Sequence, residues 1–266
     1  LFTAGTMFLQ YFADDTQLSA VVFWTFGDVG RATWQELGIM AFVTLAGSLY
    51  FIANRWNYNA IDAGDETAKG LGVNVEAVRD IGMVVAALLS AVIVSLLGVI
   101  GFVGLVCPHM VRRLIGDDQR YLIPGSCVMG GLLLLAILTA VSVGAVPVPL
   151  STVWSILAHQ LAPGLVTPDW TPGREAIVWD IRFPRALLAV LVGAGLGITG
   201  AALQAVTRNP LADPHLLGIS SGGAFGAIAA LLHTGLFLGL LTVPLMAFGG
   251  SLAATLFVLA IARVTG

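Results

Sequence analysis

Charge is what this 266-residue sequence has least of: 12 Lys and Arg and 15 Asp and Glu make up 10% of the chain, against about 25% in an ordinary soluble domain. So few charges cannot cover the surface of a cytosolic enzyme this size, and a hydrophobic content of 58% excludes a disordered region. Only two cysteines occur, Cys107 and Cys127; they have neither CxxC nor zinc spacing and read as packing thiols, so a disulfide scaffold is excluded. With a net charge of −3 and no basic run, nothing is there to hold nucleic acid. No G-x-x-x-x-G-K-S/T phosphate loop occurs, so any ATP must be bound by a separate chain. Nor is there a signal peptide: Leu1 is not a start residue and no basic n-region follows it, so the chain reads as an internal piece of something longer.

What is there is apolar. Mean hydropathy is +0.93, and no Asp, Glu, Lys or Arg falls in 37–54, 81–111, 121–168, 186–207 or 214–262. Each stretch can hold at least one span of about 20 apolar residues. Backbone polar groups in lipid must be satisfied internally, and unbroken runs without period-2 alternation select helices over a barrel. The expectation is an all-α polytopic membrane protein with about eight transmembrane helices: Leu1–Phe12, Leu37–Ala53, Ile81–Leu97, Val99–Leu114, Tyr121–Val141, Pro184–Val206, Leu216–His233 and Leu238–Ala262. Polar connections at Asp14–Glu36, Arg55–Asp80 and Gly144–Ile181 separate them. Arg55, Lys69, Arg79, Arg112, Arg113, Arg120, Arg208 and Arg263 lie on one side, against Arg31, Arg174, Arg182 and Arg185 on the other. The bias puts the 55–80, 112–120 and 207–214 loops in the cytoplasm and 14–36 and 144–183 outside.

Several strings could carry chemistry. The glycines Gly193, Gly195, Gly197 and Gly200, and Gly218, Gly222, Gly223 and Gly226, suit close helix packing. Gly218–Gly222 matches G-x-S-x-G, so Ser220 or Ser221 paired with His109, His159, His215 or His233 would make an intramembrane serine hydrolase; small residues packing closely is the plainer reading. The charge-free stretches hold only the four histidines His109, His159, His215 and His233, none clearly mid-membrane, and no carboxylate, which argues against an ion-coupled secondary transporter, normally built on intramembrane carboxylates or histidines with partners. Pro108–Arg113 (PHMVRR) reads as a helix end with cations complementing the dipole rather than a metal site. Arg182-Phe183-Pro184-Arg185 reads equally as headgroup anchors or as a docking site for an acidic partner. Arg208–Pro214 (RNPLADP) reads as a tight turn between two spans.

At these residues the sequence resembles the permease subunits of type II ABC importers for iron–siderophore, haem and vitamin B12, the FecCD-like family. Arg182–Arg185, Gly193–Gln204 (GAGLGITGAALQ), Arg208–Pro214 and Leu217-Gly218 resemble the N-terminal half of that permease. Trp24–Gly27 (WTFG), Gly64–Gly72 (GDETAKGLG), Gly101–Arg113 (GFVGLVCPHMVRR) and Gly116–Pro124 (GDDQRYLIP) resemble the C-terminal half. The order is permuted: residues 1–135, with a coupling loop at 60–82, are similar to the C-terminal half, and residues 136–266 to the N-terminal half. The chain is then either the end of one copy and the start of the next in a double-length permease, or a rearranged copy with gaps closed. The family has ten helices; its last helix and outer Pro-rich entry have no counterpart here, and its ninth helix runs into its first around Gly131–Ala136.

The resemblance implies a transport subunit rather than an enzyme, with no cofactor or metal of its own. Arg182 and Arg185 would dock a periplasmic or lipid-anchored substrate-binding protein. Asn209 and Leu211 would form the cytoplasmic gate of a pathway between two permease copies, partly lined by the helix beginning at Leu1. Asp65, Glu66 and Gly72 would couple to a separate ATP-binding cassette ATPase. It implies import of an iron–siderophore or related metal chelate across a bacterial or archaeal cytoplasmic (inner) membrane, through a homodimer or a fused pair.

Overall fold

The computed structural model describes residues 1–27, 33–142, 148–164, 167–235 and 237–265. Arg31 and residues 144–147, assigned above to outward connections, lie outside the described residues. The α-helices are α1 (Phe2–Tyr11), α2 (Asp15–Thr25), α3 (Trp34–Ala53), α4 (Arg55–Asp62), α5 (Asp65–Gly70), α6 (Val75–Leu97), α7 (Val103–Ile115), α8 (Gln119–Ser142), α9 (Leu150–Leu161), α10 (Pro172–Ala176), α11 (Phe183–Thr207), α12 (Ile219–Ala229) and α13 (Thr242–Thr265). Among the described residues the only β-type pairing is one isolated bridge between Phe26 and Val99. The protein is an all-α polytopic membrane protein.

Every one of the eight apolar stretches contains a helix, but among the described residues five helical runs are long and apolar enough to cross a membrane: Trp34–Ala53, Val75–Leu97, Gln119–Ile137, Pro172–Thr207 and Gly239–Ala262. The helices at Leu1–Phe12, Val99–Leu114 and Leu216–His233 are shorter, at Phe2–Tyr11, Val103–Ile115 and Ile219–Thr234. A charge-free stretch reports apolar surroundings and not an unbroken helix. The run from 81 to 111 is broken at Gly98, with φ +79, and restarts after Phe102, with φ +68.

The polar connections also hold helices that charge alone hides. α2 lies inside 14–36 and opens on a capping box, Asp14 with Gln17, just as Thr33 with Glu36 opens α3. α9 and α10 lie inside 144–181. Pro184 does not start its helix: α10, the π-turn Ile177–Arg182 and α11 run on as one helix, Pro172–Thr207. The wider π-turn just before Pro184 accommodates its ring inside the helix. At about 1.5 Å per residue this helix is about 54 Å long, well beyond a hydrocarbon core of about 30 Å.

α11 is the centre of the bundle. It packs against α8, α7, α6 and α3, and every residue from Gly195 to Val206 is buried. A Cβ at Gly193 would collide with the Gly130 carbonyl of α8, at Gly197 with the Ser126 carbonyl, and at Gly200 with the Gly104 carbonyl of α7. The apolar core then closes around these crossings with Leu89, Ile93, Leu188, Val192 and Ile198. A second seam joins α12 to α13, where Gly222 and Gly226 meet the Gly250 and Met246 carbonyls. α1 leans on that pair through Phe2, whose ring meets Phe225 at 6.0 Å and Phe257 at 6.4 Å. The close-packing reading of these glycines therefore holds in the structure.

A methyl group at Gly200 has only backbone to displace, so Gly200→Ala should destabilise by about 1–3 kcal/mol or more, as overpacking does. Gly38 lies in α3 with nothing within 4 Å of an added Cβ, so Gly38→Ala should be neutral or stabilising by up to about 1 kcal/mol. Thermal unfolding in detergent measures both, and equal midpoints for the two variants would contradict the packing account.

Candidate functional site

Three separated segments meet at one end of the bundle: 55–80, 112–120 and 207–214. α4 holds the start of α8, with Asn59 accepting from the Gln119 N–H at 3.0 Å and Asp62 from the Gln119 amide at 3.3 Å. Arg120 pairs with Asp118 and lies 4.8 Å over the Trp56 ring. The short helix α5 ends in a Schellman turn. The Val73 N–H donates to the Ala68 carbonyl and the Gly72 N–H to the Lys69 carbonyl, with Gly72 at φ +83, the left-handed conformation such turns require. Val73 packs against Ile61, Ala68 and Val75, which closes the turn over a small apolar cluster.

The residues assigned to coupling divide. Asp65 is half-buried and accepts from Arg79 at 3.0 and 3.3 Å and from Arg208 at 2.7 Å. The Arg79 hydrogen bond, helped by the positive charge of Arg79 and Arg208, holds its carboxyl below the usual carboxylate range. Glu66 is exposed and meets only Lys69 among the described residues, a surface pair at 3.1 Å of small energetic weight. Gly72 is exposed, and a Cβ there would meet nothing within 4 Å. Its place in the turn rests on backbone conformation alone.

The segment that the resemblance assigns to a gate begins where α11 ends. Here too the helix stops in a Schellman turn, with the Asn209 N–H donating to the Gln204 carbonyl and the Arg208 N–H to that of Ala205. The left-handed position is filled by Arg208, φ +49 and ψ +37, and not by glycine. Asn209 and Leu211 are both exposed, and the Asn209 side chain accepts the Leu211 N–H at 3.0 Å. Beneath them Gln204 is buried; it accepts from Arg112 of α7 at 3.3 Å and donates to the Ala212 carbonyl at 3.4 Å.

Behind Asn209 and Leu211 lies a cluster that sequence reading left open. Asp213 caps the short turn Pro214–Leu217 by accepting the His215 N–H at 2.9 Å. His215 Nε2 is 3.8 Å from Asp213, and its Nδ1 contacts the Ser220 hydroxyl. Of the candidate histidines only His215 reaches a candidate serine; His109 and His233 are exposed, and His159 stacks edge-on with Trp170 at 5.8 Å. Ser221 donates instead to the Gly218 carbonyl at 3.1 Å. The cavity beside Ser220, lined also by Ser90, Gly104 and Leu196, is about 10 Å³, room for one water molecule and no peptide.

Arg182 and Arg185 lie at the opposite end, beside the outward connections. Both are half-buried and sit in the continuous helix, one turn apart, rather than in an exposed loop. Trp179 stacks on Phe183 at 5.3 Å, and Trp34 contacts both rings, which ties α3 to this end. Glu175 accepts from Gln160 at 2.6 Å and Trp170 at 3.1 Å, holding α9 there as well. The aromatic cluster matches the interfacial belt of a membrane protein. Among the described residues no group of three or more His, Cys, Asp or Glu could hold a metal ion.

This all-α bundle is a multi-pass membrane protein, with polar motifs gathered at its two ends. The FecCD transport family model matches it twice, over residues 1–139 and 132–266, and the chain belongs to that family. It is 62% identical over 135 residues to a Methanocaldococcus jannaschii protein provisionally named as an ABC transporter permease, covering 51% of this chain and 39% of that one. It is 38% identical over 127 residues to the hemin transport system permease protein HmuU of Yersinia pestis, covering 48% and 38%. It is 46% identical over 118 residues to the vitamin B12 import system permease protein BtuC of Salmonella arizonae, covering 43% and 34%. The chain thus spans under two-fifths of the length of these curated relatives. No solved structure matches it.

Two outcomes test this end of the bundle. Gly72→Ala should cost about 1–2 kcal/mol through the left-handed backbone alone, read as a lowered unfolding midpoint. The Asp65 carboxyl is depressed, so its contribution is present above the unfolded value of about 3.9 and lost as pH falls through its lower folded value. Midpoints of the parent protein and Asp65→Asn should therefore differ at pH 7 to 5 and converge below about pH 4; a constant difference across that range would remove the assignment.

Proposed function

We propose that the chain is part of the permease of an ATP-driven importer that carries an iron–siderophore or related metal chelate into the cytoplasm. The observation that carries this reading is the sorting of motifs to opposite ends. The segments of the coupling loop and the gate converge on one end through Asp65, Arg79 and Arg208, while Arg182 and Arg185 lie at the other, beside the aromatic cluster. The hemin and vitamin B12 permeases among its relatives support a bulky metal complex as cargo. In this reading the first end faces the cytoplasm and a separate ATP-binding cassette ATPase, with Glu66 and the Gly72 turn against it. Asn209 and Leu211 gate the pathway formed with a second permease copy. Arg182 and Arg185 receive the acidic surface of a substrate-binding protein outside a bacterial or archaeal inner membrane. In this reading residues 1–135 are the C-terminal half of the permease and residues 136–266 its N-terminal half; the two regions that the family model matches meet within α8.

One observation favours a second reading. Ser220, His215 and Asp213 form a serine–histidine–aspartate row, as an intramembrane hydrolase would need. Its small cavity and the absence of a strand-to-helix elbow among the described residues weigh against it. Loss of peptide cleavage on Ser220→Ala would establish it.

Copurification with an ATPase whose activity rises with a loaded binding protein is the direct test of the importer reading. Arg182→Glu with Arg185→Glu should weaken binding-protein docking by roughly tenfold or more at low salt, with a smaller difference at high salt, and leave ATPase assembly intact. Unchanged docking in surface plasmon resonance would remove these residues from the interface.

A further inference from the structure

Arg208 stands where a helix-ending turn ordinarily takes glycine, because a side chain in the left-handed region crowds its own backbone. The other comparable turn nearby, after α5, does use glycine, at Gly72. An arginine held in a disfavoured conformation points to a task for its side chain. Among the described residues the contact its guanidinium makes is with Asp65 Oδ1 at 2.7 Å, between positions 143 apart in the sequence. Asp65 opens α5 and also accepts from Arg79 of α6, through Oδ1 at 3.0 Å and Oδ2 at 3.3 Å. One carboxylate thus ties together α5, the first turns of α6 and the first residue of the gate segment. Glu66, the next residue, points away into solvent with its side chain 90% exposed. The two acidic residues of this helix therefore face different ways.

We propose that Arg208 and Asp65 are positioning residues that form a strut, transmitting displacement of α5 to the Asn209–Leu211 gate, and that Asp65 does not itself contact the ATPase. This rests on the importer reading above. Movement of α5 pulls on Arg208, whose backbone is the last turn of α11 and whose neighbour Asn209 begins the gate. Gln204, linked to Arg112 and to the Ala212 carbonyl, holds the far side of the same segment. The gate is therefore suspended between two contacts, one on α5 and one on α7.

Arg208→Gly separates the strut from the turn, since glycine suits the backbone there and has no side chain to reach Asp65. In the assembled transporter reconstituted in liposomes, its unfolding midpoint should equal or exceed that of the parent protein. Substrate imported per ATP hydrolysed should fall by about two- to fivefold, the factor matching the upper range of a partly exposed ion pair. Asp65→Asn should show the same loss, the double variant no more than either single one, and Arg208→Lys should retain most of the coupling. Parent-like coupling in Arg208→Gly, or losses that multiply in the double variant, would overturn the strut. Absence of binding-protein-stimulated ATPase activity in the parent assembly would instead overturn the importer reading, and the strut with it.

Discussion

Helices in lipid gain nothing from hiding apolar surface, because the tails around them are as apolar as leucine, so association depends on how closely backbones approach. In this protein that constraint is met along α11. Gly193, Gly197 and Gly200 present bare backbone to carbonyls of α8 and α7, and the buried side chains from Gly195 to Val206 close around those crossings. The same arrangement recurs where Gly222 and Gly226 meet α13. With α11 seated this closely, its last turn is held beside α4, α5 and the end of α7, and the polar segments there acquire their partners.

The helix Pro172–Thr207 also joins the two ends. It carries Arg182 and Arg185 near one and Arg208 just past the other. A helix is stiff along its axis, so Arg182 and Arg185 near one end and the turn at Arg208 past the other belong to one continuous element. The π-turn at Ile177–Arg182 interrupts its regular bonding immediately beside those arginines, a feature often found at functional positions. At the other end the contacts are ionic and partly hydrated, so they hold less tightly than the packed glycines.

Much of the fold was legible from residue chemistry alone. Scarce charge and long apolar runs led to an all-α membrane bundle, and loop arginines sorted the connections into the same two groups that the structure gathers at its two ends. The expectation of about eight spans exceeded the five long helices among the described residues because helix breaks such as Gly98–Phe102 carry no charge. α2, α9 and α10 were hidden within polar connections, where capping boxes and proline positions were the available signals. Pro184 read as a helix start, and the π-turn that lets the helix continue through it leaves no pattern in the sequence.

The sequence by itself determined the solvent, the secondary structure class and the motifs that carry the family resemblance, because hydropathy and local propensity act within a few residues. Only the tertiary structure decided which partners the candidate site residues meet. That Asp65 turns inward to Arg208 while Glu66 turns out depends on where α11 ends relative to α5, and those elements are 143 residues apart between the paired groups. That His215, and no other candidate histidine, meets Ser220 depends on the turn at Pro214–Leu217. Such pairings follow from the docking of helices, and docking is set by the sum of many weak contacts rather than by any local string.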